Sequence, residues 1–93
     1  MNDPLDMRVE IAEAAASHGA SNVRVFGSAA RRELRPGSDL DLLVRMDEGR
    51  SLFDLIALSQ ELEDTLGVPV DVLSEGGLSP YLRDRILSEA VPL

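Results

Sequence analysis

The sequence predicts an α/β fold, a small mixed β-sheet packed against helices, and three observations carry that expectation. Segments with apolar residues at helical spacing alternate with short β-branched runs along the chain. Hydrophobic residues make up 44% of the 93 and are spread over the whole length, which suits one folded domain over 1–93 and not an acidic disordered tail. Aromatic residues are only 3%, so the core must be built from Leu, Val, Ile and Ala, and no base-stacking platform is available.

The elements follow in order. Asp3 before Pro4 is a helix start, since the carboxylate caps free N–H groups and proline suits the first helical position. Leu5, Val9, Ala12 and Ala16 then recur at helical spacing, and Gly19 is the stop, giving about four turns. VRVF at 23–26 reads as a strand, and the small-residue stretch 28–32 as a short helix. RPGS at 35–38 is a turn by composition, followed by a second strand, DLDLLV, at 39–44. Ser51 and Asp54 have capping-box spacing, ahead of a Leu55, Leu58, Leu62, Leu66 stripe closed by Gly67. Pro69 marks entry to a third strand in VPVDVL, and Ser79-Pro80 opens a last helix bearing Leu82, Ile86 and Ala90.

Charge and residue usage narrow the function. Seventeen acids against nine bases give a formal charge of -8, which opposes bulk attraction to nucleic acid or anionic lipid. With no Cys and one His, thiolate or His-based zinc sites and Ser-His triads lack parts, so any metal must be held mainly by oxygen. The N-terminus has no apolar signal-like core and no run spans a bilayer, so a cytoplasmic location with no membrane partner is expected. All nine bases are Arg, and Arg24, Arg31, Arg32 and Arg35 fall close together.

Aspartate is disfavoured in strands, yet DLDLLV carries two. Alternation puts Asp39, Asp41 and Leu43 on one face and Leu40, Leu42 and Val44 on the other. The two carboxylates are then about 7 Å apart at the backbone, within reach of shared divalent cations. Asp71 repeats the pattern between Val70 and Val72, and three carboxylates meet if its strand neighbours the second. Solvent-facing strand positions would also tolerate these residues. The balance shifts with Gly27-Ser28, which follows a strand and begins a short helix, where backbone N–H groups and the positive helix end favour phosphate.

Gly27-Ser28, ten residues, then Asp39-Leu40-Asp41 resembles the signature of the DNA polymerase beta-like nucleotidyltransferase superfamily, in the form VRVFGSAARRELRPGSDLDLLV. The short chain is most similar to the minimal nucleotidyltransferases, including the MntA-like antitoxins encoded beside HEPN-domain toxins. That resemblance implies a polymerase beta-like core in which Gly27 and Ser28 hold the phosphates of ATP. It implies that Asp39, Asp41 and Asp71 hold two Mg2+ ions, with Asp71 also activating the attacking hydroxyl, and that Arg31 touches phosphate. Family members usually have Gly where this chain has Arg32, which bears on rate and nucleotide preference.

Two such ions stabilise the attacking and leaving oxygens of an in-line displacement, so the chain need mainly hold metals and position phosphates. Larger relatives carry an additional acceptor-binding domain, and here a partner is expected to supply it. By the resemblance, that partner is a HEPN ribonuclease toxin in a heteromeric complex, inactivated by adenylylation of a tyrosine. The rival reading is a binding antitoxin that covers its partner without catalysis. His18 reads as an ordinary helix-end imidazole, Tyr81 as half-buried packing, and Arg24, Arg35 and Arg45 as surface charge balance.

Overall fold

The structure, a computed structural model, describes residues 7–27 and 39–93. The expected Asp3-Pro4 cap, the short helix at 28–32 and the turn at 35–38 lie outside them. The described elements run α1 (Arg8–Ser17), β1 (Ala20–Phe26), β2 (Leu40–Met46), α2 (Leu52–Leu66), β3 (Val70–Ser74), a 3-10 turn (Glu75–Gly77), α3 (Pro80–Glu89) and β4 (Val91–Pro92). The sheet is mixed, as expected, with order β3-β2-β1-β4: β2 and β3 are parallel, and β1 is antiparallel to both β2 and β4.

Alternation along the strands makes one face apolar. Leu40, Leu42 and Val44 of β2 pack with Val25 of β1 and Val70 and Val72 of β3 beneath Ile11 and Ala15 of α1 and Leu58 and Leu62 of α2. Leu40, Leu42 and Leu58 are completely buried, each such side chain contributing about 1.5–3 kcal/mol. The opposite face carries Asp41, Leu43 and Arg45 from β2, with Arg24 and Phe26 of β1 and Asp71 and Leu73 of β3 in register beside them.

Helix α2 is specified locally at both ends. Ser51 Oγ accepts from the Phe53 N–H at 3.2 Å and the Ser51 N–H donates to Asp54 Oδ2 at 2.8 Å, completing the expected capping box. Gly67 ends the helix in the left-handed conformation, at φ 72°. Ser79 likewise caps α3, with Pro80 in its first turn.

Several details depart from expectation, the first being that α1 buries Ile11 and Ala15 and leaves Val9, Ala12 and Ala16 of the expected stripe exposed. Strand β1 begins at Ala20, three residues early, because Ala20 and Ser21 pair with Met46 and Arg45; a bulge between Ser21 and Arg24, with Asn22 at φ 51°, then resets the register. The 3-10 turn and β4 were not foreseen. Tyr81 is 95% exposed instead of half-buried, since α3 has no buried residue. Arg24 is not a solvated surface charge: its side chain is 12% exposed and lies 3.2 Å from Glu75. Among the described residues, no helix is long and apolar enough to cross a membrane.

Candidate nucleotidyl-transfer site

Parallel pairing of β2 with β3 sets Asp41 opposite Asp71, and antiparallel pairing with β1 sets Asp41 opposite Phe26, one residue before Gly27. With neighbouring strands about 4.8 Å apart, Asp41 lies between Asp71 and the β1 turn. Asp39 is exposed immediately before β2, and Asp71 is exposed on β3. The condition on which the three-carboxylate site depended, that β3 neighbours β2, is therefore met.

The register depends on groups that sequence reasoning missed. Among the described residues β3 is a sheet edge, so the N–H and C=O of Val70 have no described strand to bond on their outer side. Helix α2 fills that role: the Val70 N–H donates to Glu63 Oε2 at 2.9 Å and Ser59 Oγ donates to Val70 O at 2.7 Å. On the inner side the Leu40 N–H donates to Pro69 O at 2.9 Å. These bonds fall immediately before Asp71 and hold its strand in place. Two polar residues four apart beside the Leu58 and Leu62 stripe were the available signal.

Gly27 has a geometric reason to be glycine. Its φ is +66°, and a Cβ placed there would come 2.6 Å from Asp41 Oδ2. The Asp41 carboxylate thus rests against the bare Cα at the end of β1, and any side chain would displace it.

Electrostatics mark the same spot. Burial pushes the Asp41 carboxyl above its ordinary value of 3.8, and the neighbouring charges of Asp71 and then Asp39 push it further in the same direction. Among the described residues, no three acidic or imidazole side chains are already gathered as a metal-ligand group. The carboxylates are neighbours whose like charges favour splaying. Their chemistry fits magnesium: an all-oxygen donor set whose mutual repulsion a divalent cation would relieve. Ser28 and Arg31, expected at the phosphates, lie outside the described residues, as does Arg32, the departure from the family's usual glycine. His18 does not join the site; it lies 3.5 Å from Glu61 on α2.

Comparison with known proteins identifies the family. The model of the nucleotidyltransferase domain matches residues 9–93. A Methanocaldococcus jannaschii relative, provisionally named a protein adenylyltransferase, is 51% identical over 74 residues, covering 80% of each chain. Protein adenylyltransferase MntA of Thermococcus cleftensis is 37% identical over 73 residues, 78% of this chain and 74% of its own. A solved structure provisionally described as a minimal nucleotidyltransferase superposes with TM-score 0.84 at 50% identity, covering 99% of this chain and 97% of its own. A chain in the solved complex of a tri-AMPylated Shewanella oneidensis HEPN toxin with its MNT antitoxin shares the fold, at TM-score 0.74 and 16% identity over 97% of this chain and 71% of its own. A family match across nearly the whole sequence, together with a relative 51% identical over 80% of the chain, makes this chain a member of the nucleotidyltransferase domain family.

Proposed function

We propose that this chain is a cytoplasmic, single-domain protein adenylyltransferase that moves AMP from ATP to a tyrosine hydroxyl of a cognate HEPN toxin, and so acts as its antitoxin. The observation that carries the reading is the register of Asp41 with Asp71, beside Asp39 and against Gly27. The names of the Methanocaldococcus and Thermococcus relatives support protein as the acceptor class, and the Shewanella complex supports a HEPN partner.

In this mechanism Asp39, Asp41 and Asp71 would hold magnesium, which would supply charge neutralisation to the reacting phosphate. Gly27 and Ser28 present backbone and hydroxyl donors to the phosphates, with Arg31 adding a guanidinium. Asp71 accepts the proton of the incoming hydroxyl as that oxygen bonds to the α-phosphorus and the bond to pyrophosphate breaks. Glu63 and Ser59 act at one remove, by fixing the backbone beside Asp71.

The test is the intact mass of the HEPN partner after incubation with this protein, ATP and magnesium. One or more AMP-sized increments are expected, absent with an Asp39→Ala, Asp41→Ala double variant. Inhibition of the partner by both forms with no mass change would instead establish a steric antitoxin.

A further inference from the structure

A polar pocket opens on the Asp41 face of the sheet, toward the end of β2 away from Asp41. It has a volume of about 460 Å3 and is lined by Asn22, Arg45, Met46, Ser74, Glu75, Gly76 and Arg83. Arg45 lies four residues beyond Asp41 on β2, so it shares the Asp41 face about 13 Å along the strand.

The ion pairs single this pocket out. Among the described residues, Arg24, Arg50 and Arg85 are paired with Glu75, Asp54 and Glu89. Arg45 and Arg83 have no such carboxylate, although the chain carries a formal charge of -8. Both line this pocket and both are exposed, so their charges are available to a ligand. Arg24 adds to the same locality. Its Nε donates to Asn22 O at 3.1 Å, while its Nη2 is buried, within 3.2 Å of Glu75 but without a hydrogen bond. Glu75 is thus balanced by Arg24, leaving two further guanidinium groups facing the opening. Guanidinium pairs suit the spaced oxygens of a phosphate group better than a lone carboxylate oxygen.

We propose that the pocket between Arg45 and Arg83 binds a phosphate group, as a site separate from the transfer centre. The bulge at Asn22 and the 3-10 turn after β3 form its walls, and among the described residues both features belong to this end of the sheet alone. The ligand is either free inorganic phosphate or the phosphate of a small nucleoside monophosphate.

The full chain, free of magnesium and ATP, is titrated with inorganic phosphate and separately with AMP while backbone and Arg Nε–H resonances are followed by NMR. Saturable shifts are expected at Asn22, Arg45, Ser74, Gly76 and Arg83, with none of comparable size from chloride at matched ionic strength. An Arg45→Gln, Arg83→Gln double variant should bind at least tenfold more weakly while its remaining spectrum superposes on that of the parent. If the double variant does not fold, each single variant should weaken binding severalfold. Tighter binding of AMP, with added shifts at Met46, would identify a nucleoside phosphate; equal affinity would identify the phosphate group alone as the ligand. Shifts confined to the neighbourhood of Gly27 and Asp39, equal shifts from chloride, or binding unchanged by the substitutions would overturn the proposal.

Discussion

The two faces of β2 are made from one run of seven residues and have opposite demands. On the helix side, Leu40, Leu42 and Val44 are buried to within 1% and complete the core. On the other side, Asp41 and Arg45 carry opposite charges on either side of Leu43, which is equally buried but stands outside the main cluster. Strand alternation lets the sequence satisfy stability on one face while accepting a destabilising charge cluster on the other. Substitutions on the two faces should therefore differ in kind as well as in size.

Asp41→Asn should have the largest effect, reducing nucleotidyl transfer by a factor of about a thousand or more, the scale expected when metal-held charge stabilisation is lost. The same change should raise the thermal midpoint of the metal-free protein at neutral pH by a few degrees. Because the folded-state pKa of Asp41 lies above 3.8, the folded protein binds the extra proton and its stability falls as pH rises through that raised value. The Asn variant lacks that fall, so melting curves of the two proteins should converge in acid and separate toward neutrality. An Asn variant that is less stable at neutral pH would contradict the electrostatic reading of the cluster.

Leu42→Ala, one position along and on the other face, should cost about 2–5 kcal/mol in denaturant titration. Its transfer rate per folded molecule should change far less than that of the Asp41 variant. Equal damage to specific activity by both would erase the distinction between the faces.

Gly27→Ala joins the two effects at a smaller scale. The left-handed backbone costs about 1–2 kcal/mol for a residue with a Cβ, and the new methyl would displace the Asp41 carboxylate. Activity should fall by more than the unfolded fraction accounts for, a comparison that activity and circular dichroism on one sample decide.

Glu63→Ala should cost about 1–2 kcal/mol by leaving the Val70 N–H without its acceptor. Glu63→Gln, which keeps an acceptor oxygen, should recover most of both stability and transfer. Failure of the Gln variant to recover transfer would assign Glu63 a role in charge instead of register.

The divided character of β2 was legible in the sequence because DLDLLV alternates openly, and the capping signals at Ser51 and Ser79 placed α2 and α3 by local hydrogen bonding alone. Pairing partners were not legible. That Asp71 falls opposite Asp41 depends on strand order, which no local signal encodes, and on Ser59 and Glu63 reaching from α2 to the sheet edge. Strand β4 escaped notice because two residues, one of them Pro92, carry no periodicity. The burial of Arg24 escaped for a related reason: the bulge at Asn22 re-aims β1, and its partner Glu75 sits in a turn whose position depends on the assembled sheet.

The claim beneath this account is that Asp39, Asp41 and Asp71 act as one divalent-cation site. Calorimetric titration of magnesium into the nucleotide-loaded protein tests it directly, using a non-hydrolysable ATP analogue and comparing the parent with Asp39→Asn, Asp41→Asn and Asp71→Asn. Each substitution should weaken magnesium binding at least tenfold, Asp71→Asn included, although it lies on a different strand. Parent-like affinity in the Asp71 variant would make Asp71 an ordinary surface acid and contradict the three-carboxylate site.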